Sequence, residues 1–184
     1  MKNKKIYAFP GMAGSGKSEA IKYLQEKNGW PKVYLGAATF EKMCEMGLEE
    51  SQDNERIARE KLREEHGMGV YAKLALPKIK KLFESNDIVL LESLYSWDEY
   101  KILKEKFGKN FKVIAIYASP TTRFARLENR EKRPLKTEGE LKIRDWSEIE
   151  NTDKGGPIAM ADYTIINEDG VDEFHKQLDK IFSF

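Results

Sequence analysis

Eight consecutive residues, Gly11-Met12-Ala13-Gly14-Ser15-Gly16-Lys17-Ser18, have the types and spacing to hold a chain of phosphates. Glycines at the first, fourth and sixth places let the backbone curl until several N–H groups point inward at anionic oxygens. A helix beginning at Ser18 adds unpaired N–H groups and the positive end of its dipole. The pattern G-x-x-x-x-G-K-S assigns Lys17 to the β- and γ-phosphates of a nucleoside triphosphate and the Ser18 hydroxyl to Mg²⁺.

Such a loop works with a carboxylate at the end of a neighbouring apolar strand, which holds the metal through water. Glu92, closing Ile88-Val89-Leu90-Leu91, is the candidate, as a metal and substrate-side residue. Phosphoryl transfer also needs cations around the moving group, because negative charge spreads over its equatorial oxygens. Arg123, Arg126, Arg130 and Arg133 fall three, four and three apart, on one face of a helix, and Arg144 follows. A second stripe, Arg56, Arg59 and Arg63, could hold an anionic acceptor, although Glu55, Glu60 and Glu64 give it an equally simple reading as a solvated face. His66 and His175 are isolated and read as surface or structural residues.

The elements that must position these groups alternate. Short apolar strands are expected at 6–9, 32–35, 87–92, 111–118 and 163–166, and helices at 18–27, 97–107, 120–130 and 171–181. Apolar strands separated by helices imply a parallel sheet covered on both faces. Residues 38–84 offer no good strand. Ser51 caps an expected helix to His66, and another runs from Val70 toward Phe83, broken or kinked at Pro77. Residues 131–160 are polar and glycine-bearing, and read as a mobile segment with a helix inside it. The expectation is a single domain over 1–184, with a helical insertion at about 38–84 and a lid at about 131–160.

Composition narrows the function further. Lys plus Arg number 32 and Asp plus Glu 31, so no overall field favours nucleic acid or an anionic membrane. That balance argues against a polynucleotide end kinase, which needs a basic track. The lysine-rich start, Met1 to Lys5, is followed by too short an apolar run for a signal peptide, and no stretch is long enough to span a membrane. The one cysteine, Cys44, cannot pair internally and reads as an inert buried thiol in a reducing cytoplasm. No Asn-Lys-x-Asp run reads guanine, so ATP is the expected nucleotide. A monomer or weak dimer is expected.

Several stretches together resemble small kinases related to dephospho-CoA kinase, and most closely a dephospho-CoA-kinase-like, adenylate-kinase-related P-loop group. They are Gly11 to Glu19, Leu62 to Gly67, Ile114 to Arg130, Ile143-Arg144-Asp145 and Ala161 to Asn167. The resemblance implies a three-layer α/β/α P-loop NTPase fold with a five-stranded parallel sheet, an acceptor-binding insertion and an arginine-bearing lid. It implies ATP with Mg²⁺ as donor, Arg126 or Arg130 against the adenine and phosphates, Arg144 from the lid, and Asn167 near the base. Lys17, Arg130 and Arg144 are then the catalytic candidates, Gly11 to Ser18, Arg126 and Asn167 the nucleotide-binding ones, and Arg63 and Glu92 the acceptor-side ones. The reaction implied is transfer of the γ-phosphoryl group to a nucleotide-, nucleoside- or CoA-precursor-like small molecule, expected to be anionic. Two departures are visible. Gly36-Ala37-Ala38 stands where relatives place an acid after strand two, and Glu92-Ser93 stands where they tend to have Asp-Gly. The first leaves open a nucleotide-binding switch or slow ATPase without a dedicated acceptor.

Overall fold

The computed structural model describes residues 4–131 and 134–183. Five strands form one sheet: β1 (Lys5–Phe9), β2 (Lys32–Tyr34), β3 (Ile88–Glu92), β4 (Phe111–Tyr117) and β5 (Tyr163–Ile166). Their spatial order is β2-β3-β1-β4-β5, and every pairing is parallel. The period-two alternation of the strands divides the core cleanly. Ile6, Ala8, Val89, Leu91 and Val113 face one side, in a cluster with Tyr71, Ile79 and Leu103. Tyr7, Phe9, Leu90, Ile114, Ile116 and Ile165 face the other, against Ile21, Leu24, Phe174 and Leu178. This is the three-layer α/β/α P-loop fold expected from the alternation of strands and helices.

Helix α1 (Lys17–Asn28) follows the glycine loop and ends at Gly29, whose φ of 69° turns the chain toward β2. The insertion holds three helices rather than two: α2 (Ala37–Glu45), α3 (Gln52–His66) and α4 (Val70–Leu82). Ser51 caps α3 as expected, its hydroxyl accepting from the Asn54 N–H at 3.1 Å. Pro77 does not break α4. Pro77 and Lys73, whose carbonyl loses its partner, both lie on the solvent side, while Ala75 and Ile79 are buried. The carbonyl left without a helical partner is on the solvent side, and packing of the buried face carries the helix through. Cys44 is exposed, contrary to expectation. The inward face of α2 is Ala38, Thr39 and Met43, and the next residue is rotated away from it.

Helix α5 (Trp97–Phe107) opens on a capping box between Ser96 and Glu99, a short 3₁₀ turn (Gly108–Asn110) leads into β4, and α6 (Pro120–Glu128) opens on the Ser119 cap. The polar 131–160 segment is mostly helical: α7 (Glu138–Glu150) and α8 (Gly155–Ala159). Helix α9 (Val171–Phe182) closes the chain. Among the described residues, no helix is long and apolar enough to cross a membrane. β1 sits between β3 and β4, so the chain diverges from its carboxyl end, where open parallel sheets place their ligands. The glycine loop begins there.

Candidate active site

The loop's curl is built into its packing. A Cβ on Gly14, at φ 80°, would lie 2.8 Å from the carbonyl oxygen of Arg123; one on Gly16, at φ 107°, would lie 2.3 Å from Asn167 Nδ2. Both clashes are with groups that hold the loop, so only glycine fits. Lys17 Nζ donates back to the carbonyls of Gly11 at 2.8 Å and Met12 at 2.9 Å. Burial, and next the charge of Lys154, bring its pKa down to about 7. Gly16 offers no side-chain cap to α1, so the first-turn N–H groups stay available to an anion.

Glu92 is buried rather than solvent-facing, and its two oxygens are divided. Oε1 accepts from the Ser18 hydroxyl at 2.8 Å and Oε2 from Lys32 Nζ at 2.8 Å. The β1–β3 register sets this, since Phe9 pairs with Glu92 and both strands end together under the loop. Ser93 follows at φ 73°, a left-handed conformation that is costly for a residue with a Cβ. The Ser18 hydroxyl and the Glu92 carboxylate are hard oxygen donors side by side, a set that suits Mg²⁺. Among the described residues, no three His, Cys, Asp or Glu side chains gather into a site of their own, so such an ion would draw its remaining ligands from phosphate and water.

The first arginine stripe divides into different roles. Arg123 is buried and structural. Its Nε donates to Ala118 O at 3.1 Å, Nη1 to Ala13 O at 3.2 Å, and both terminal nitrogens to Asp145, at 2.9 and 2.6 Å. It ties the glycine loop to α7. Arg126 lies beside the loop: Nη2 donates to the Asn167 carbonyl at 3.0 Å, and Asn167 Nδ2 in turn donates to Ser15 O at 2.8 Å. Arg126 Nη1 and Ser15 Oγ are buried without a partner. Those orphaned polar atoms at the loop fit a phosphate-bearing ligand better than a closed structural contact. Arg130 is exposed, with no side-chain partner among the described residues, and Arg133 lies outside them.

The 131–160 segment brings in more charge than its sequence advertises. Arg144 Nε is 3.4 Å from Glu148 Oε1, and Glu148 Oε2 accepts from Lys154. Lys154 is 1% exposed and sits over the Tyr95 ring, 4.9 Å from its centroid. The charges of Arg144, Glu148 and Lys154 all act on Lys17. Neither Glu148 nor Lys154 stands out in the sequence. The available signal is the helical spacing of Leu141, Asp145 and Glu148, which marks one inward face of α7.

The second arginine stripe also divides. Arg56 is exposed beside Asp53, and Arg59 pairs with Glu55 at 3.6 Å. Arg63 turns inward over Tyr71, 5.7 Å from the ring centroid, with its Nε buried and unpartnered. Glu99, fully buried on α5, accepts from the Tyr95 and Ser96 N–H groups through Oε2, while its Oε1 has no partner. Burial outweighs those donors and the nearby Arg63, and lifts its pKa to about 7. His66 lies exposed beside Glu65, and His175 stacks on Tyr23 and pairs with Glu19 at 3.0 Å, both surface arrangements.

Sheet order, glycine loop and strand-end carboxylate together define a P-loop protein with a kinase-like α/β fold. The family described as the AAA domain matches residues 8–152. A UPF0200 protein of Thermococcus kodakarensis is 34% identical over 178 residues, covering 96% of this chain and 95% of the relative. The chain belongs to the AAA-domain family of P-loop proteins and to the UPF0200 family. Among solved structures, TT1252 from Thermus thermophilus matches with a TM-score of 0.63 at 16% identity, covering 98% of this chain and 97% of that one. Shikimate kinase from Bacteroides thetaiotaomicron matches with a TM-score of 0.61 at 14% identity, covering 96% of each chain. At that identity the structural likeness speaks to the fold.

Proposed function

We propose that this protein is an ATP- and Mg²⁺-dependent small-molecule kinase, carrying the γ-phosphoryl group to an anionic nucleotide-, nucleoside- or CoA-precursor-like acceptor. The observation that carries the reading is the contact between Ser18 and Glu92 beneath a complete glycine loop. It joins the two residues whose chemistry a phosphate-bound metal requires. In this reading the loop N–H groups and Lys17 bind the phosphates, and Arg126 with Asn167 flanks the nucleotide. Ser18 and Glu92 hold Mg²⁺, which neutralises charge on the phosphate oxygens when bound. Arg144, and Arg130 if the lid's edge folds inward, stabilise the transferring group. Arg63 faces the acceptor from α3. The dephospho-CoA-kinase-like resemblance supports this acceptor class, and the fold shared with shikimate kinase supports small-molecule phosphotransfer.

A second reading, a nucleotide switch or slow ATPase, is favoured by one feature. β2 ends at Tyr34, and Leu35-Gly36 leads into α2 without an acid to act on an acceptor hydroxyl. ADP production from Mg·ATP, measured against dephospho-CoA, nucleoside monophosphates and nucleosides, separates the two. Acceptor-dependent ADP formation that Lys17→Ala abolishes supports the kinase. Phosphate release indifferent to every acceptor supports the switch. Phosphotransfer unaffected by Lys17→Ala refutes both.

A further inference from the structure

Lys154 is a lysine that a folded protein has little reason to bury. The residue is 1% exposed, and its ammonium meets the Glu148 carboxylate and the face of Tyr95. Burying a lysine for structure alone is costly, because its stem could carry the charge to water. The helix that supplies Glu148 is fastened to the glycine loop from behind. Arg123 bridges Ala13 O and the Asp145 carboxylate, and Leu141 packs with Ala13 and Leu127. Asp145 and Glu148 are three apart on α7, so anchoring the first aims the second at the loop.

The charges in this chamber do not balance. Lys17, Arg144 and Lys154 bring three basic groups together. Glu92 is shared between Ser18 and Lys32 and Asp145 is held by Arg123, which leaves Glu148 as the carboxylate bonded directly to Lys154 and Arg144. Burial pushes the Glu148 carboxyl up, but Lys154 foremost, then Arg144 and Lys17, bring it below its ordinary value, so it is ionised. Three basic groups around one carboxylate that no other element holds, beside a phosphate loop, suit a polyanion.

We infer that Lys154 is a phosphate-binding residue of the nucleotide site, and that Glu148 is its competing internal anion, which the terminal phosphates displace. The inference rests on the triphosphate-binding reading and deepens it. It makes the lid's contribution a lysine on a carboxylate leash rather than arginines alone. Glu148 keeps Lys154 positioned, and it also sets how much charge a ligand must bring to capture it. A triphosphate brings enough, and a monophosphate does not reach.

The test is calorimetric binding of a non-hydrolysable ATP analogue with Mg²⁺, of ADP and of AMP, to the full chain. The two single variants have opposite expected signs. Lys154→Met lowers triphosphate affinity about 10- to 100-fold, the range for losing one charge-assisted hydrogen bond. Lys154→Arg restores part of it. Glu148→Gln raises triphosphate affinity several-fold, because the competitor is gone, and AMP affinity changes in neither. The double variant Glu148→Gln/Lys154→Met removes both charges together, so it keeps the fold and binds like Lys154→Met. Thermal melts of each variant report folding separately. A pair with a merely structural role moves both single variants in the same direction, or leaves binding unchanged, and either result overturns the inference. If those results come while Lys17→Ala abolishes binding, the triphosphate-site reading stands without it. Wild-type protein that binds no triphosphate removes that reading itself.

Discussion

Replacing Glu99 with glutamine should make the protein more stable above neutral pH and leave it nearly unchanged near pH 5. Glu99 is fully buried, and its pKa of about 7 lies above the ordinary value of 4.5. Between those values the folded chain holds a proton that the unfolded chain has released. Stability from this group is therefore fully present below pH 4.5 and is lost as pH rises through about 7. At about 1.36 kcal/mol per pH unit, the 2.5-unit difference amounts to about 3 kcal/mol in all. Roughly 2–3 kcal/mol of it falls between pH 5 and pH 8. Glutamine keeps an oxygen for the Tyr95 and Ser96 N–H groups at 2.8 and 3.1 Å and removes the titration. For a chain of this length each kcal/mol moves Tm by about 2–4 °C, so the gap between variant and wild type should widen by about 5–10 °C from pH 5 to pH 8. The other groups facing Glu99 do not confuse the result. The Tyr71 pKa is raised above 10 by burial, outside the range scanned. Scanning calorimetry at the two pH values measures the change in the gap, in which other titrations cancel. An equal gap at both would show that Arg63 keeps the carboxylate ionised in the folded state, and the argument from burial would be wrong.

Three further outcomes follow from other contacts. Arg123→Ala leaves the partly buried Asp145 carboxylate and the Ala13 carbonyl without the buried Arg123 guanidinium and should cost about 3 kcal/mol, read by denaturant unfolding. Lys32→Met frees Glu92 Oε2 from its 2.8 Å ion pair; the Mg²⁺ concentration for half-maximal triphosphate binding should fall a few-fold, and a rise would remove Glu92 from the metal site. Pro77→Ala restores a backbone donor on the exposed side of α4 and should stabilise by about 1–2 kcal/mol, after allowance for the freer unfolded chain, as an increase in Tm.

The fold was legible because its signals are local and repeated. Ile6 to Phe9, Ile88 to Glu92 and Phe111 to Tyr117 each show a short apolar run between turn residues, and each is a buried strand. The glycine loop was legible because its chemistry dictates contiguous residues. What the sequence hid depends on direction. Arg123, Arg126 and Arg130 share a helical face, yet one is fastened to Asp145, one to Asn167, and one faces water. Spacing says which side chains are neighbours, and tertiary packing says what they meet. Cys44 was misjudged for the same reason: a one-residue rotation on α2 separates it from buried Met43.

The 131–160 segment marks the limit of reading by pattern. Glu148 lies on α7 and Lys154, six residues on, in the turn before α8, with Asp153 between them at φ 52°. No helical or strand period relates them, and their pairing exists only because α7 is anchored at Asp145 and the chain reverses before α8. The same anchoring explains why a polar segment orders at all. Its apolar contribution to the core is little more than Leu135 and Leu141, too small to fix a helix of thirteen residues by burial. Charge and hydrogen bonding hold it instead, through Arg123 at one point and the Glu148–Lys154 pair at another. A segment held that way is sensitive to any anion that competes for its cations, so the contacts that order it are also those a phosphate-bearing ligand would rearrange.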